Sequence, residues 1–322
     1  MYFPYLRGRQ YELLALRELV SSKSNNLLGD YVIPIVEPVK LSSTLTKTIS
    51  EYIKASHPIS IIKNPVVGSF LKELENVKDG SKEALYKEEF LMQYDNAAVI
   101  KSIIMQKNAE SILKDWAEKG VNKNDLLVIN IDRDYLDLYE REFNGVDPKY
   151  ALIPDERTFR RKIRRHRVLL DDKFEKQDRN VDYQSATDEF FSDDHLYFAE
   201  DGYQGFSDYS IIGNEYIESG FAPYAVVIHI VYFAVADKSL RIKHFVSDSN
   251  VDTTDTAKKF YETVSKLAEW YETEPKPVEM TLGLKTLLEH HQNLTYPGLG
   301  SAKKLSLMHH LELMGKYLNK VN

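Results

Sequence analysis

The sequence predicts an α/β fold: a (β/α)8 TIM-barrel-like domain with an acidic loop insertion, an added β-hairpin and C-terminal helices. Three observations predict it. Short runs dense in Val, Ile and Leu alternate with longer amphipathic stretches through the first half of the chain, the texture of β/α units. No glycine-rich turn follows the first run, so the dinucleotide fingerprint of an open doubly wound sheet is missing. The apolar runs end in charged or polar residues, as strands do where they open onto the carboxyl-terminal mouth of a barrel.

In chain order the predicted strands are residues 2–6, 32–39, 59–64, 98–104, 126–132, 150–154, 167–171 and 206–211. Between the first two lies QYELLALRELV, where Leu13, Leu16 and Leu19 keep a helical stripe. Between the second and third lies SSTLTKTISEYIKAS, whose leading serines suit a helix N-cap. The stretch 174–205 is long and acidic and reads as an insertion, and residues 224–247 read as a β-hairpin turning at Ala236-Asp237-Lys238-Ser239. An irregular α/β sheet is the alternative these two features leave open. Residues 255–322 form a helical region interrupted by the PKP and TYPGLG segments. The barrel with these additions is taken as one domain, 1–322.

The chain has 322 residues, 42 basic and 49 acidic side chains, and a net charge of −7. That balance disfavours a surface given over wholly to nucleic acid, while leaving room for a local basic patch. With no cysteine there is no disulfide framework, thiolate metal site or cysteine nucleophile, and the composition suits a reducing cytoplasm. No secretory leader and no run of 18 apolar residues is evident, so no membrane partner is expected.

Residues two apart on a strand share a face. Read that way, Phe3 and Tyr5 lead to Arg7, Ile33 and Ile35 to Glu37, and Ile59 and Ile61 to Lys63. Leu126 and Val128 lead to Asn130 and Asp132, Ala151 and Ile153 to Asp155, Leu169 to Asp171, and Phe206 to Asp208. The expected catalytic set is therefore Glu37, Asp132, Asp155, Asp171 and Asp208, whose oxygens suit magnesium or manganese, with Arg7, Lys40, Lys63 and Asn130 receiving substrate. Asp172 and Tyr209, adjacent to these in sequence, are expected to face the helices. A ring of structural ion pairs is the competing account of the same residues.

The run ERTFRRKIRRHR is strongly basic and precedes the acidic stretch, so pairing between the two is the simplest expectation, a nucleic-acid patch the sharper one. The pairs His290-His291 and His309-His310 lack the i, i+4 spacing of a helical metal site. PGLGSAKK has neither the ending nor the preceding strand of a phosphate loop. No GxSxG or HExxH motif occurs.

The opening YFPYLRGRQYELLALREL, the following VIPIVEPVK, the later GFSDYSI, the hairpin AVVIHIVYFAV and the closing LSLMHHLELM resemble the pattern of the bacterial and phage "beta protein" family. The resemblance spans nearly the whole chain and touches Arg7, Glu12, Glu37, Asp208, Tyr209, His309 and His310. It departs at Ala302-Lys303-Lys304, where the family often carries a tryptophan–arginine pair. It implies a barrel-like fold and a setting among mobile elements and phage-defence loci. It also implies that Glu12, Tyr209, His309 and His310 stand behind the residues at the mouth.

Two functions are expected from this. One is a barrel that binds a phosphorylated or nucleic-acid-derived ligand, with metal-dependent phosphoester hydrolysis at the strand ends. The other is a non-enzymatic immunity partner that offers the acidic segment and its aromatics, Phe190, Phe191, Tyr197 and Phe198, to a basic effector protein encoded nearby.

Overall fold

The structure, a computed structural model, describes residues 1–21, 23, 25–218, 223–273 and 278–321. Seven parallel strands follow one another around a sheet: β1 (Tyr5–Leu6), β2 (Ile35–Val36), β3 (Ile59–Ile62), β4 (Val99–Ile104), β5 (Leu127–Ile129), β6 (Tyr150–Ile153) and β7 (Arg167–Asp171). The chain then leaves to form β8 (Asp188–Ser192) and returns as β9 (Gly205–Asp208), the eighth strand of the ring. Closure falls at Tyr2, which bridges both Val32 and Phe206. Phe3 N–H donates to the Phe206 carbonyl at 2.8 Å and Phe206 N–H to the Met1 carbonyl at 3.0 Å. The result is the expected α/β barrel.

Helices occupy the expected crossovers: α1 (Gln10–Val20), α2 (Ser43–Ala55), α3 (Phe70–Glu75), α4 (Lys82–Tyr94), α5 (Ala109–Glu118), α6 (Leu136–Glu142) and α7 (Arg157–Lys162). Ser42 caps α2, its hydroxyl accepting from Leu45 N–H at 3.2 Å. A short α8 (Asp194–Tyr197) precedes β9, and α9 (Thr256–Thr273), α10 (Leu282–Gln292) and α11 (Leu299–Val321) make the C-terminal region. The break between α10 and α11 falls at TYPGLG as expected, whereas the PKP segment lies outside the described residues. The hairpin is β10 (Val227–Phe233) with β11 (Leu240–Val246), paired from Val227↔Val246 to Phe233↔Leu240.

The 174–205 segment is more than a surface loop. Its strand β8 adds to β11 and completes a three-stranded antiparallel sheet, and its Phe174, Tyr183, Phe191 and Tyr203 are buried in the main core. α11 packs on α1, α10 and β10, tying the added sheet to the barrel.

Side chains of the ring divide into two apolar layers. Phe3, Tyr5, Ile33, Ile35, Ile62, Ile100, Ile104, Leu127, Ile129, Leu152, Val168, Leu170 and Tyr209 form a cluster without any helix residue, the barrel interior. Tyr2, Leu6, Val36, Ile61, Val128, Ile153, Leu169 and Phe206 take the opposite phase and join the helices. The expected phase therefore holds for β1 and β2 and is reversed at β3, β5, β6, β7 and β9. Lys63, Asn130, Asp155, Asp171 and Asp208 continue the outward series, while Asp172 and Tyr209 continue the inward one. Strands covered on both faces carry apolar residues in both phases, so alternation alone does not reveal which face is inside, and a shift of one residue exchanges the two.

Closure is tight at Gly205, where a Cβ would stand 2.5 Å from the Met1 carbonyl oxygen and 2.8 Å from the Phe3 ring. Gly205→Ala is expected to overpack the seam and cost about 1–3 kcal/mol, read as a lowered midpoint in urea denaturation.

Candidate functional site

At the carboxyl-terminal rim, Arg7 and Glu37 emerge from β1 and β2 and form a buried ion pair, Glu37 being fully shielded from solvent. The second carboxylate contacts complete the cage: Tyr5 OH donates to Glu37 Oε2 at 2.8 Å and Val66 N–H to Oε1 at 2.7 Å. The Arg7 guanidinium lies over the rings of Tyr5 and Tyr209, 5.2 and 5.3 Å from their centroids. Burial opposes its charge, but the Glu37 carboxylate together with Tyr5 and Tyr209 outweighs that and holds its pKa above the ordinary value. Gly8 follows with φ +62°, where a Cβ would meet the Glu37 carbonyl at 2.9 Å, so glycine permits the turn into α1.

The segment after β9 crosses this rim. Arg7 donates to the Asn214 carbonyl, and Asn214 N–H donates to Asp172 Oδ2 at 2.8 Å. Of the expected mouth residues, the structure brings together Arg7 and Glu37, and Tyr209 and Asp172, expected to face the helices, join them there.

The other acids do not converge. Asp132 is exposed and accepts from Asp134 N–H at 2.9 Å, capping a short turn. Asp155 is engaged by Arg160 and by Tyr203 OH at 2.8 Å, and Asp171 by Lys173 at 2.8 Å. Lys63 packs outward against the Tyr94 ring, 5.4 Å from its centroid. Burial lowers its pKa. Lys40 is exposed on the loop after β2, and Asn130 is buried with its Nδ2 3.5 Å from the Leu152 carbonyl. Among the described residues no group of three His, Asp or Glu side chains is placed to hold a metal ion.

Asp208 instead belongs to a buried polar chain between the barrel and α11. Its Oδ1 accepts from Tyr2 OH and from Ser210 N–H, both at 2.7 Å, and Ser210 Oγ meets His310 Nδ1 at 2.7 Å. Burial pushes the Asp208 carboxyl up to about 7, against the pull of these donors. Burial likewise brings His309 down to about 4 and His310 to about 3, leaving both imidazoles neutral. His309 bridges Thr281 Oγ1 at 2.8 Å and the Val231 carbonyl at 2.7 Å. Both histidines join α11 to its neighbours and neither reaches the mouth.

The charge runs also pair differently from expectation. The basic run turns to acids that precede it: Arg160 to Asp155, Lys162 to Asp137 and Glu140, and Arg165 to Asp147. In the acidic segment Asp188 binds Arg241 and Lys243 of the hairpin. Phe191 is buried and Phe198 packs on the core, leaving Phe190 and Tyr197 exposed.

A concavity sits at the same end of the barrel, over the loops after β7, β9 and β1. One part, of about 230 Å³, is walled by Phe174, Tyr183, Ile211, Ile212 and His229 and carries Lys176 and Lys303. A second, of about 280 Å³, shares Ile212 and Lys303 and adds Arg9, Tyr11 and Glu12. Lys303 keeps contact with solvent, yet its ammonium is crowded by the cleft walls, and that desolvation lowers its pKa against the pull of Glu12. Among the described residues no hydrogen bond or ion pair holds it. Glu12 is buried in the first turn of α1 and is raised by burial, with Lys303 and Arg9 opposing. Lys176 is paired with Glu215 at 2.8 Å. PGLGSAKK lacks the ending and the preceding strand of a phosphate loop, yet it delivers Lys303 to the cleft from the second turn of α11.

Two outcomes follow from these burials. Arg7→Met would strand the Glu37 carboxylate without its counter-charge and cost about 3–5 kcal/mol in urea unfolding. Because the folded state binds the Asp208 proton more tightly than the unfolded chain, that contribution is complete below pH 3.8 and is lost as pH rises through about 7. Thermal melts from pH 5 to 8 should show wild type losing stability relative to Asp208→Asn.

No protein-family model matches the chain, and no curated protein and no solved structure matches it.

Proposed function

We propose that this barrel binds a phosphorylated or nucleic-acid-derived anion in the cleft over the β7, β9 and β1 loops. The observation that carries the reading is the Lys303 ammonium, unpaired among the described residues and facing a concavity that it shares with Lys176 and Arg9. It stands one turn into a 23-residue helix, whose positive N-terminal end lies on the same side and favours negative charge. Loops after the seventh and eighth strands, joined by the start of an added helix, are a recurrent phosphate position in barrels of this architecture. Because the five acids expected at the rim are dispersed, the cleft's cations rather than carboxylate-held magnesium or manganese take the anion's charge. The resemblance to the "beta protein" family supports a setting in phage defence for this activity.

Isothermal titration with inorganic pyrophosphate and with 5′-AMP checks the reading. Binding should weaken at least tenfold in Lys303→Ala, fall with added salt, and stay unchanged in an Asp132→Asn, Asp171→Asn double variant. Equal affinity of wild type and Lys303→Ala for both anions would remove it.

A further inference from the structure

His229, which lines the cleft with Lys303, ends a hydrogen-bonded series that anion binding does not need. His244 Nε2 lies 3.1 Å from Glu189 Oε1, and His244 Nδ1 lies 2.6 Å from His229 Nδ1. The three residues come from β8, β11 and β10, so the added sheet exists in a form that aligns them. The carboxylate accepts, which assigns the His244 proton to Nε2 and leaves its Nδ1 as a lone pair. That lone pair must accept from His229 Nδ1–H, which leaves His229 Nε2 unprotonated. Phe174 and Tyr183 meet the His229 ring edge-on, 5.1 and 4.9 Å between centroids, and fix its orientation. His229 lines the cleft that holds Lys303, and burial together with His244 lowers its pKa, keeping it in the neutral form.

We infer that Glu189, His244 and His229 form a relay that presents His229 Nε2 as a general base to the bound anion, making the cleft a phosphodiester-hydrolysing centre. The inference rests on the anion-binding reading above. As a water oxygen attacks phosphorus, its proton passes to His229 Nε2 and the bond from phosphorus to the leaving oxygen breaks. Lys303 gives that oxygen a proton, and solvent returns a proton from His229 to Lys303, so the net reaction consumes one water. His229 and Lys303 are the catalytic residues here, as base and acid, with His244 and Glu189 as positioning residues that hold the His229 tautomer.

The test has two arms. Diethylpyrocarbonate acylates an unprotonated imidazole nitrogen, and mass spectrometry reads the site. At pH 7, His229 should react, should be protected by pyrophosphate, and should react at least fivefold more slowly in Glu189→Gln and in His244→Phe variants whose circular dichroism and melting match wild type. In the second arm, wild type should hydrolyse bis(4-nitrophenyl) phosphate, His229→Gln should lose at least a hundredfold in kcat, and His229→Gln should still bind pyrophosphate. An inert His229, a rate indifferent to Glu189, or no turnover of the diester overturns the relay. Loss of pyrophosphate binding in His229→Gln also overturns it, by making His229 a ligand contact. Failure of the anion reading would show separately, as equal pyrophosphate affinity in Lys303→Ala.

Discussion

Closing eight strands into a ring gives every strand residue one of two destinations, the barrel interior or the layer beneath the helices, and both are apolar. Each polar side chain in a strand must therefore either leave at a rim or find partners inside. Ser60 and Ser102 do the latter, their hydroxyls bonded to each other across β3 and β4. Arg7 and Glu37 do the former and still end up buried, because the segment after β9 folds across them and is held by the Asn214 carbonyl. A pair removed from water is held best when its remaining donors and acceptors are bonded; Tyr5, Val66 and Asn214 supply most of those bonds, and among the described residues Arg7 Nε is the buried donor they leave without a partner.

The same constraint moves the chemistry off the barrel axis. With the rim over β1 and β2 filled by a closed ion pair and its aromatic neighbours, open space is found to one side, where the returning segment, the first turn of α11 and the added sheet meet. Lys303, Lys176 and Arg9 reach this space from three separate parts of the chain, and His229 faces it from the hairpin. The sheet that sequence reading treats as an appendage thus supplies one wall of the cleft. The buried chain from Tyr2 through Asp208 and Ser210 to His310 fastens α11 to the closure seam, which sets where Lys303 stands.

Much of the architecture was legible. Strand and crossover positions, the N-cap at Ser42, the hairpin and the break at TYPGLG all follow from periodicity and turn chemistry acting over a few residues. The site was legible only in part. Arg7 and Glu37 were found because β1 and β2 are short and their inward residues lead straight to charge. Asp155 and Asp171 were misplaced because Ala151 and Leu152, and Leu169 and Leu170, offer no contrast that marks the inner face, and Asp208 because the inner residue of β9 is the polar Ser207, bonded to the Phe3 carbonyl, while Phe206 turns to the helices.

The amino-acid sequence by itself determined the alternation of strands and helices, since local propensity and hydrophobic period need no distant partner. Tertiary structure alone decided the phase of the inner face, the pairing of the charge runs and the meeting of Lys303 with His229. Those depend on ring closure and on contacts between segments far apart in the chain, where apolar burial on both sides of a strand erases the local pattern and proximity is set by packing.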